Sequence, residues 1–273
     1  YAQDLNKSLT NIQIVSGQST DQMGKFAEQA NKAAKALSTT TVKYTDAALI
    51  YYQQGLGDSE VKERTDVTTK MANVTGEGVE EVSSYMTAIW NNFNKAGDQS
   101  AEHFADIMTK LGAETAASTD DMATGLSKSS AAADTIGLSF EMASSSVTAI
   151  VDQTRESPEV VGTALKTIFS RIEGLKMGET LEDGMDLNKY SEGLAKVGVH
   201  IYDANGNLRD MDNILQDIGG TWEQLEKDEQ VALAQTVAGV RQYNQFMALF
   251  DNWGHVEENL EMAAEAGGTL QEQ

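Results

Sequence analysis

Apolar residues recur at helical spacing along most of this 273-residue chain, and the period changes in only one place. From Gly78 to Lys95, the residues Val79, Val82, Tyr85, Met86, Ile89, Trp90 and Phe93 form one broad apolar face, which predicts a helix. A second stripe joins Val161, Ala164, Leu165, Ile168, Phe169 and Ile172. Its limits are legible as well. Ser157 can cap the free amides, Pro158 suits the first helical position, Glu159 complements the dipole, and Gly174 supplies a stop. A third stripe, made of Leu233, Val237, Val240, Phe246, Met247 and Phe250, lies in Gln230–Asn252, which has no proline and predicts one long helix. Ahead of it the period drops to two. Val199–Tyr202 has strand-forming residues, Asp203-Ala204-Asn205-Gly206 offers a turn that tolerates positive φ, and Asn207–Arg209 can run back alongside, which predicts a β-hairpin.

A shift of about 99 residues brings two stretches into partial register: Ser19, Thr20, Asp21 and Met23 land on Ser118, Thr119, Asp120 and Met122. Leu5, Leu9 and Ile12 likewise match Phe104, Met108 and Leu111. Each stretch reads as a short helix, a second opened by Ser-Thr-Asp-x-Met, a third, and a fourth opened by Ser-Glu-Val or Pro-Glu-Val. Ser19 and Gln22 make a capping box at the first of these starts. After Gly174 a glycine- and acid-rich run follows, with weak helix over Leu187–Lys196. The predicted fold is therefore mainly α: a multi-helix array of two related helical units plus a small β-hairpin and a C-terminal helical segment. The expected divisions are 1–100 for the first helical repeat unit, 101–175 for the second, 176–196 for the acidic connector, and 197–273 for the hairpin and C-terminal helices.

Composition narrows the function classes. There is no cysteine, one proline, and a formal charge of -22, so disulfide and thiolate chemistry are out. So acidic a surface repels phosphate backbones, and the 20 Lys and Arg residues are scattered, so this segment is not expected to bind nucleic acid directly or to contact anionic membranes. No apolar run approaches the roughly 20 residues that span a bilayer. The chain opens on Tyr1 and not on methionine, which reads as an internal piece of a longer polypeptide.

The search for chemistry returns structural answers. No Gly-x-Ser-x-Gly elbow is present, and His103, His200 and His255 share no ligand spacing. Asp203-x-Asn205-x-Asn207 begins like a calcium loop, but its sixth position is Leu208 and its twelfth Ile214, so a turn explains it better. Glu179, Glu182, Asp183 and Asp186 read as a solvated acidic connector before a weak cation site, and Arg241 as a structural partner for Asp210 or Asp217. Gly55-Leu56-Gly57 and Gly76-Glu77-Gly78 lack a Walker lysine and read as helix ends. The Trp90 face and the Phe246–Phe250 face are expected in the core before they are expected at a partner surface. No catalytic, cofactor-binding or metal residue is assigned, and the chain is expected not to be an enzyme.

Four segments carry a family resemblance: "DANGNLRD" from Asp203, "TWEQL" from Thr221, "AGVRQYNQFMALFDNW" from Ala238, and "TRESPEVVGTALKTIFSRI" from Thr154. In chain order, with the Thr154 segment first, they resemble the core region of tailed-phage tape measure, or minor tail, proteins. The resemblance implies a structural virion protein, made in the host cytoplasm, that occupies the tail tube lumen or tail tip. It implies that the protein sets tail length during tube assembly and is released before genome ejection. The partners it implies are tail tube, distal tail or baseplate hub proteins, with homo-oligomers in the lumen. A helix rises about 1.5 Å per residue, so chain length can encode tail length. The many glycines and turn signals make this piece a folded part near an end of such a ruler. The residues alone also fit a bacterial Ala/Ser/Thr-rich helical signalling or surface interaction protein. Such a coiled coil, however, would keep its heptads where this chain interrupts them with glycine.

Overall fold

The computed structural model describes residues 2–272, and among them fifteen α-helices form. In the first half they are α1 (Ala2–Ser16), α2 (Thr20–Ala36), α3 (Thr41–Gln53), α4 (Asp58–Thr75), α5 (Val79–Phe93), α6 (Ala101–Glu114) and α7 (Thr119–Thr135). The second half adds α8 (Phe140–Thr154), α9 (Pro158–Lys176), α10 (Leu187–Ala195), α11 (Met211–Trp222), α12 (Lys227–Ala238), α13 (Tyr243–Asp251), α14 (Trp253–Ala264) and α15 (Thr269–Glu272). Their starts follow the capping chemistry of the sequence. Ser19 and Gln22 close a reciprocal box at α2, and Ser118 and Asp121 do the same at α7. Thr40 and Ser139 then accept the Lys43 and Met142 amides at the starts of α3 and α8.

Two compact units emerge. One takes the chain up to Trp90, Ala96–Thr109 and the chain from Gly267 on; the other takes Asn91–Lys95 and Lys110–Ala266. The first unit is built around fully buried Tyr51, Met71, Met86, Ile89, Trp90 and Phe104. The Trp90 indole N–H donates to the Ala101 carbonyl at 3.1 Å, so the polar edge of the largest buried ring is satisfied. A buried carboxylate fastens the last helix of this unit: Asp106 accepts the Gly268 and Leu270 amides, each at 2.8 Å. These are orphan donors at the start of α15, and the carboxylate also faces its positive end. Asp106→Ala is expected to leave them without a partner and to lower stability by about 1–3 kcal/mol. Urea denaturation would measure the loss, and faster hydrogen exchange at the Leu270 amide would locate it.

In the second unit α7 and α9 cross with backbone close to backbone. A Cβ placed on Gly162 would stand 2.4 Å from the Gly125 carbonyl oxygen, so the crossing admits only glycine there. Buried α8 packs beside this pair, with α13 and α14 against it, and Asn259 donates to the Ser145 carbonyl at 3.2 Å. An aromatic cluster holds the later helices together. Phe250 stacks on Trp253 at 4.9 Å, while Trp222 and Phe246 approach at 5.4 and 4.5 Å from the Phe250 ring. Gly219 makes room for it, since a Cβ there would come within 2.1 Å of the Trp253 ring.

The expected β-hairpin does not form. Among the described residues there is no strand, and its place holds one isolated antiparallel bridge, Tyr202 with Leu208. The reason is local competition. The Asp203 carboxylate takes the Asn205 and Asn207 amides at 2.8 and 2.9 Å, which curls the chain into a tight side-chain-capped turn. On either side the backbone is already committed to helices: the Val199 amide bonds back to Leu194, and Asp210 is the N-cap of α11.

Three further expectations change. The long helix over Gln230–Asn252 breaks at Gly239, whose φ of 75° and ψ of 168° lie in a region that essentially only glycine enters. Gly174 does not end its helix. It sits inside α9, where a Cβ would meet the Glu179 carboxylate at 2.8 Å, and left-handed Gly178 follows the true end. Ser157 occupies the N-cap of α9 without a side-chain hydrogen bond. The acidic connector, by contrast, is partly packed: α10 buries Tyr190 and Leu194.

Candidate interaction surface

The segments that carry the family resemblance are separated in sequence and meet in the second unit. The turn between α8 and α9 puts Arg155 in the left-handed region at φ 58°, and the next residue, Glu156, accepts a hydrogen bond from the Gln245 side chain on α13. Behind them Arg171 of α9 reaches the chain at the end of α12. Its guanidinium donates to the Thr236 carbonyl at 3.4 Å and lies against Gly239, where a Cβ would stand 3.4 Å from Nη1. A third partner completes the arrangement, because Arg171 also pairs with Asp183 at 2.8 Å. Burial raises the Asp183 pKa, but the Arg171 hydrogen bond and the Met185 amide outweigh it and hold the carboxyl below its usual range.

The break at Gly239 has a consequence for the surface. Val240, placed on the apolar stripe by sequence, is 66% exposed, and Arg241 is exposed beside it. The partner expected for Arg241 is taken by another cation, since Arg209 pairs with Asp217 at 2.7 Å. Val160 and Arg155 are also exposed at the α8–α9 turn. Each of the two joined turns therefore presents an apolar and a cationic side chain on a strongly acidic chain.

The other candidate residues are dispersed into local tasks. His255 pairs with Glu258 at 3.1 Å, the His103 ring meets Phe104 edge-on at 5.2 Å, and exposed His200 contributes its carbonyl to Arg209. The acidic quartet is divided: Asp183 goes to Arg171, Asp186 caps α10 by accepting the Lys189 amide, and Glu179 packs against Gly174. Asp203 spends its carboxylate on its own turn, chiefly on the Asn207 amide, which holds its pKa below the usual range. Trp90, Phe246 and Phe250 are at most 2% exposed and belong to the core. Sequence reasoning missed the Gly125–Gly162 crossing and the Asp106 clasp. Both depend on partners far away in the chain.

One carboxylate works against the fold. Burial pushes the Asp212 pKa up, although the Ser139 amide donates to it at 3.0 Å. A carboxyl whose folded pKa lies above its unfolded value binds its proton more tightly in the folded state, so its penalty sets in as pH rises past the unfolded pKa and is complete above the folded pKa. Asp212→Asn keeps an acceptor for Ser139 and removes the charge. It is expected to raise stability at neutral pH and to flatten the decline that sets in as pH rises past the ordinary carboxylate range, as thermal melts from acidic to neutral pH would show.

Residues 32–239 match the family of phage-related minor tail proteins, and the chain belongs to that family. The match contains the whole Thr154–Ile172 segment and ends at the glycine that breaks the helix. Among its relatives, the tape measure protein of Pneumococcus phage Dp-1 is 23% identical over 248 residues, covering 91% of this chain and 20% of that protein. The probable tape measure protein of Escherichia phage P2 is 23% identical over 232 residues, covering 84% of this chain and 27% of that one. The chain thus spans about a fifth to a quarter of the length of these relatives. No solved structure matches it. Family and helical fold together make this a structural phage tail protein.

Proposed function

We propose that this chain is a folded module of a tape measure protein, acting near the tail-tip end of the ruler and not as the extended measuring stretch. In this reading the parent protein occupies the tube lumen in several copies, sets tail length, and leaves before DNA ejection. The module contacts tail tube, distal tail or baseplate hub proteins, and the joined turns around Arg155 and Arg241 are its preferred contact surface.

The observation that carries the reading is the shortness of the helices. The longest, α9, has 19 residues and rises only about 28 Å. A measuring rod of 273 residues in straight helix would span about 400 Å. The test is an in-frame deletion of this segment from the parent gene, followed by electron microscopy of the particles. Failure to complete tails is expected. Complete tails shortened by about 400 Å would instead assign the segment to the measuring stretch. Infectious virions with tails of normal length would show it dispensable for both roles.

A further inference from the structure

The first unit contains an open cleft of about 780 Å³ between α2 and α4, floored by Tyr44, Ala48 and Tyr52 of α3. Its origin becomes clear beside the matching helices of the second unit. Helix α2 corresponds to α7, with buried Met23, Ala30 and Ala34 at the places of Met122, Ser129 and Ala133. Helix α4 corresponds to α9 after a slip of one residue from the shift of 99, which would pair buried Val61 with exposed Val160: buried Val61, Thr65, Thr68 and Thr69 then take the places of Val161, Leu165, Ile168 and Phe169. In that register the crossing glycines Gly125 and Gly162 are replaced by Phe26 and Lys62. The glycine contact that joins α7 to α9 therefore has no counterpart here: α2 and α4 each pack on α3, and Phe26 and Lys62 line the cleft between them.

We propose that this cleft seats one amphipathic helix with acidic flanks, supplied by a protein partner. Shape favours a helix. The lining runs along α2 from Gln22 to Leu37, about 22 Å or four helical turns, which is long for a compact small molecule. The matching face of α7 is covered by a helix, α9. Charge fixes the flanks. The lining carries Lys25, Lys32, Lys62 and Lys70 against Asp58 and Asp66, a cationic excess on a chain of net charge -22. Both acids are already engaged, Asp66 by the Tyr44 hydroxyl at 2.6 Å and Asp58 by the Tyr52 hydroxyl at 2.9 Å. Lys62 pairs with Asp66 and Lys70 with Glu102, which leaves exposed Lys25 and Lys32 on the α2 rim to meet an incoming carboxylate. The apolar floor and Ala33 would receive the partner's small aliphatic stripe.

The inference does not depend on where the module sits in the tail. It is tested with the whole 273-residue chain and labelled synthetic helical peptides of four turns that share one Ala/Leu stripe and carry either glutamate or lysine flanks. Fluorescence anisotropy is expected to show saturable binding of the glutamate peptide, weakening with salt. The lysine peptide should bind at least about tenfold more weakly. Lys25→Glu with Lys32→Glu should reverse the preference, and Ala33→Trp should block the cleft, each with an unchanged circular dichroism spectrum. Equal affinity for both peptides, no binding of either, or binding untouched by Ala33→Trp would overturn the proposal. Self-association of the chain that Ala33→Trp abolishes, with no peptide binding, would replace the partner by a second copy.

Discussion

Replacing Trp90 by alanine is expected to cost the first unit about 3–5 kcal/mol, the range for emptying a large aromatic site in a packed core. The ring is 2% exposed, its centroid lies 5.9 Å from that of Tyr51, and the Arg64 guanidinium covers it at 4.9 Å. Truncation would remove these contacts, leave the Ala101 carbonyl without its indole donor, and uncover the Arg64 stem. Urea denaturation followed by circular dichroism would read the loss, and Trp90→Phe should recover part of it by refilling the space. A fully stable Trp90→Ala chain that no longer supports tail assembly would reverse the interpretation and make this face a partner surface.

The second large effect is expected from a single methyl group. Gly162→Ala would drive a Cβ to 2.4 Å from the Gly125 carbonyl oxygen and 2.9 Å from its Cα. Both are backbone atoms on a helix, so no side-chain rotation relieves the clash and α7 and α9 must separate. A loss of about 3 kcal/mol, the upper part of the range for overpacking, is expected in chemical denaturation. Gly24→Ala on α2 is the control. Nothing lies within 4 Å of its added Cβ, and the residue is exposed within a helix. That change should stabilise the chain by roughly 0.4–1 kcal/mol, because alanine has less backbone freedom to lose on folding. Equal effects at the two glycines would show that helix propensity, and not the crossing, controls both positions.

The sequence and the structure part company where a local preference met a non-local demand. The residues of Val199–Arg209 favour a hairpin, yet a hairpin needs several paired residues on each arm. Here the arms pair only through the Asp203 amide to the Asn207 carbonyl and the Arg209 amide to the Ile201 carbonyl, and α10 and α11 take up the chain close on either side. Val240 lies on the apolar stripe of its neighbours only if one helix runs through Gly239. The break there turns Val240 and Arg241 outward, a change that an unbroken helical period cannot reveal. Gly174 and Gly178 show the same limit. Either residue fits a helix stop, but only Gly178 takes the left-handed conformation, while Gly174 stays helical with Glu179 folded back close to it.

Features that depend on a few adjacent residues were determined by the sequence itself: the helical class, the capping of α2 by Ser19 and Gln22, the apolar faces of α5 and α9, and the family membership. Capping and periodicity are local, so three or four residues suffice to specify them. Tertiary structure alone decided which glycines became contact points, which carboxylate fastened the last helix, and which pair of matching helices stayed open. Each of those outcomes depends on residues that are distant in sequence and adjacent only after folding. Phe26 and Lys62 stand on separate helices and come to line one cleft only when α2 and α4 both pack on α3.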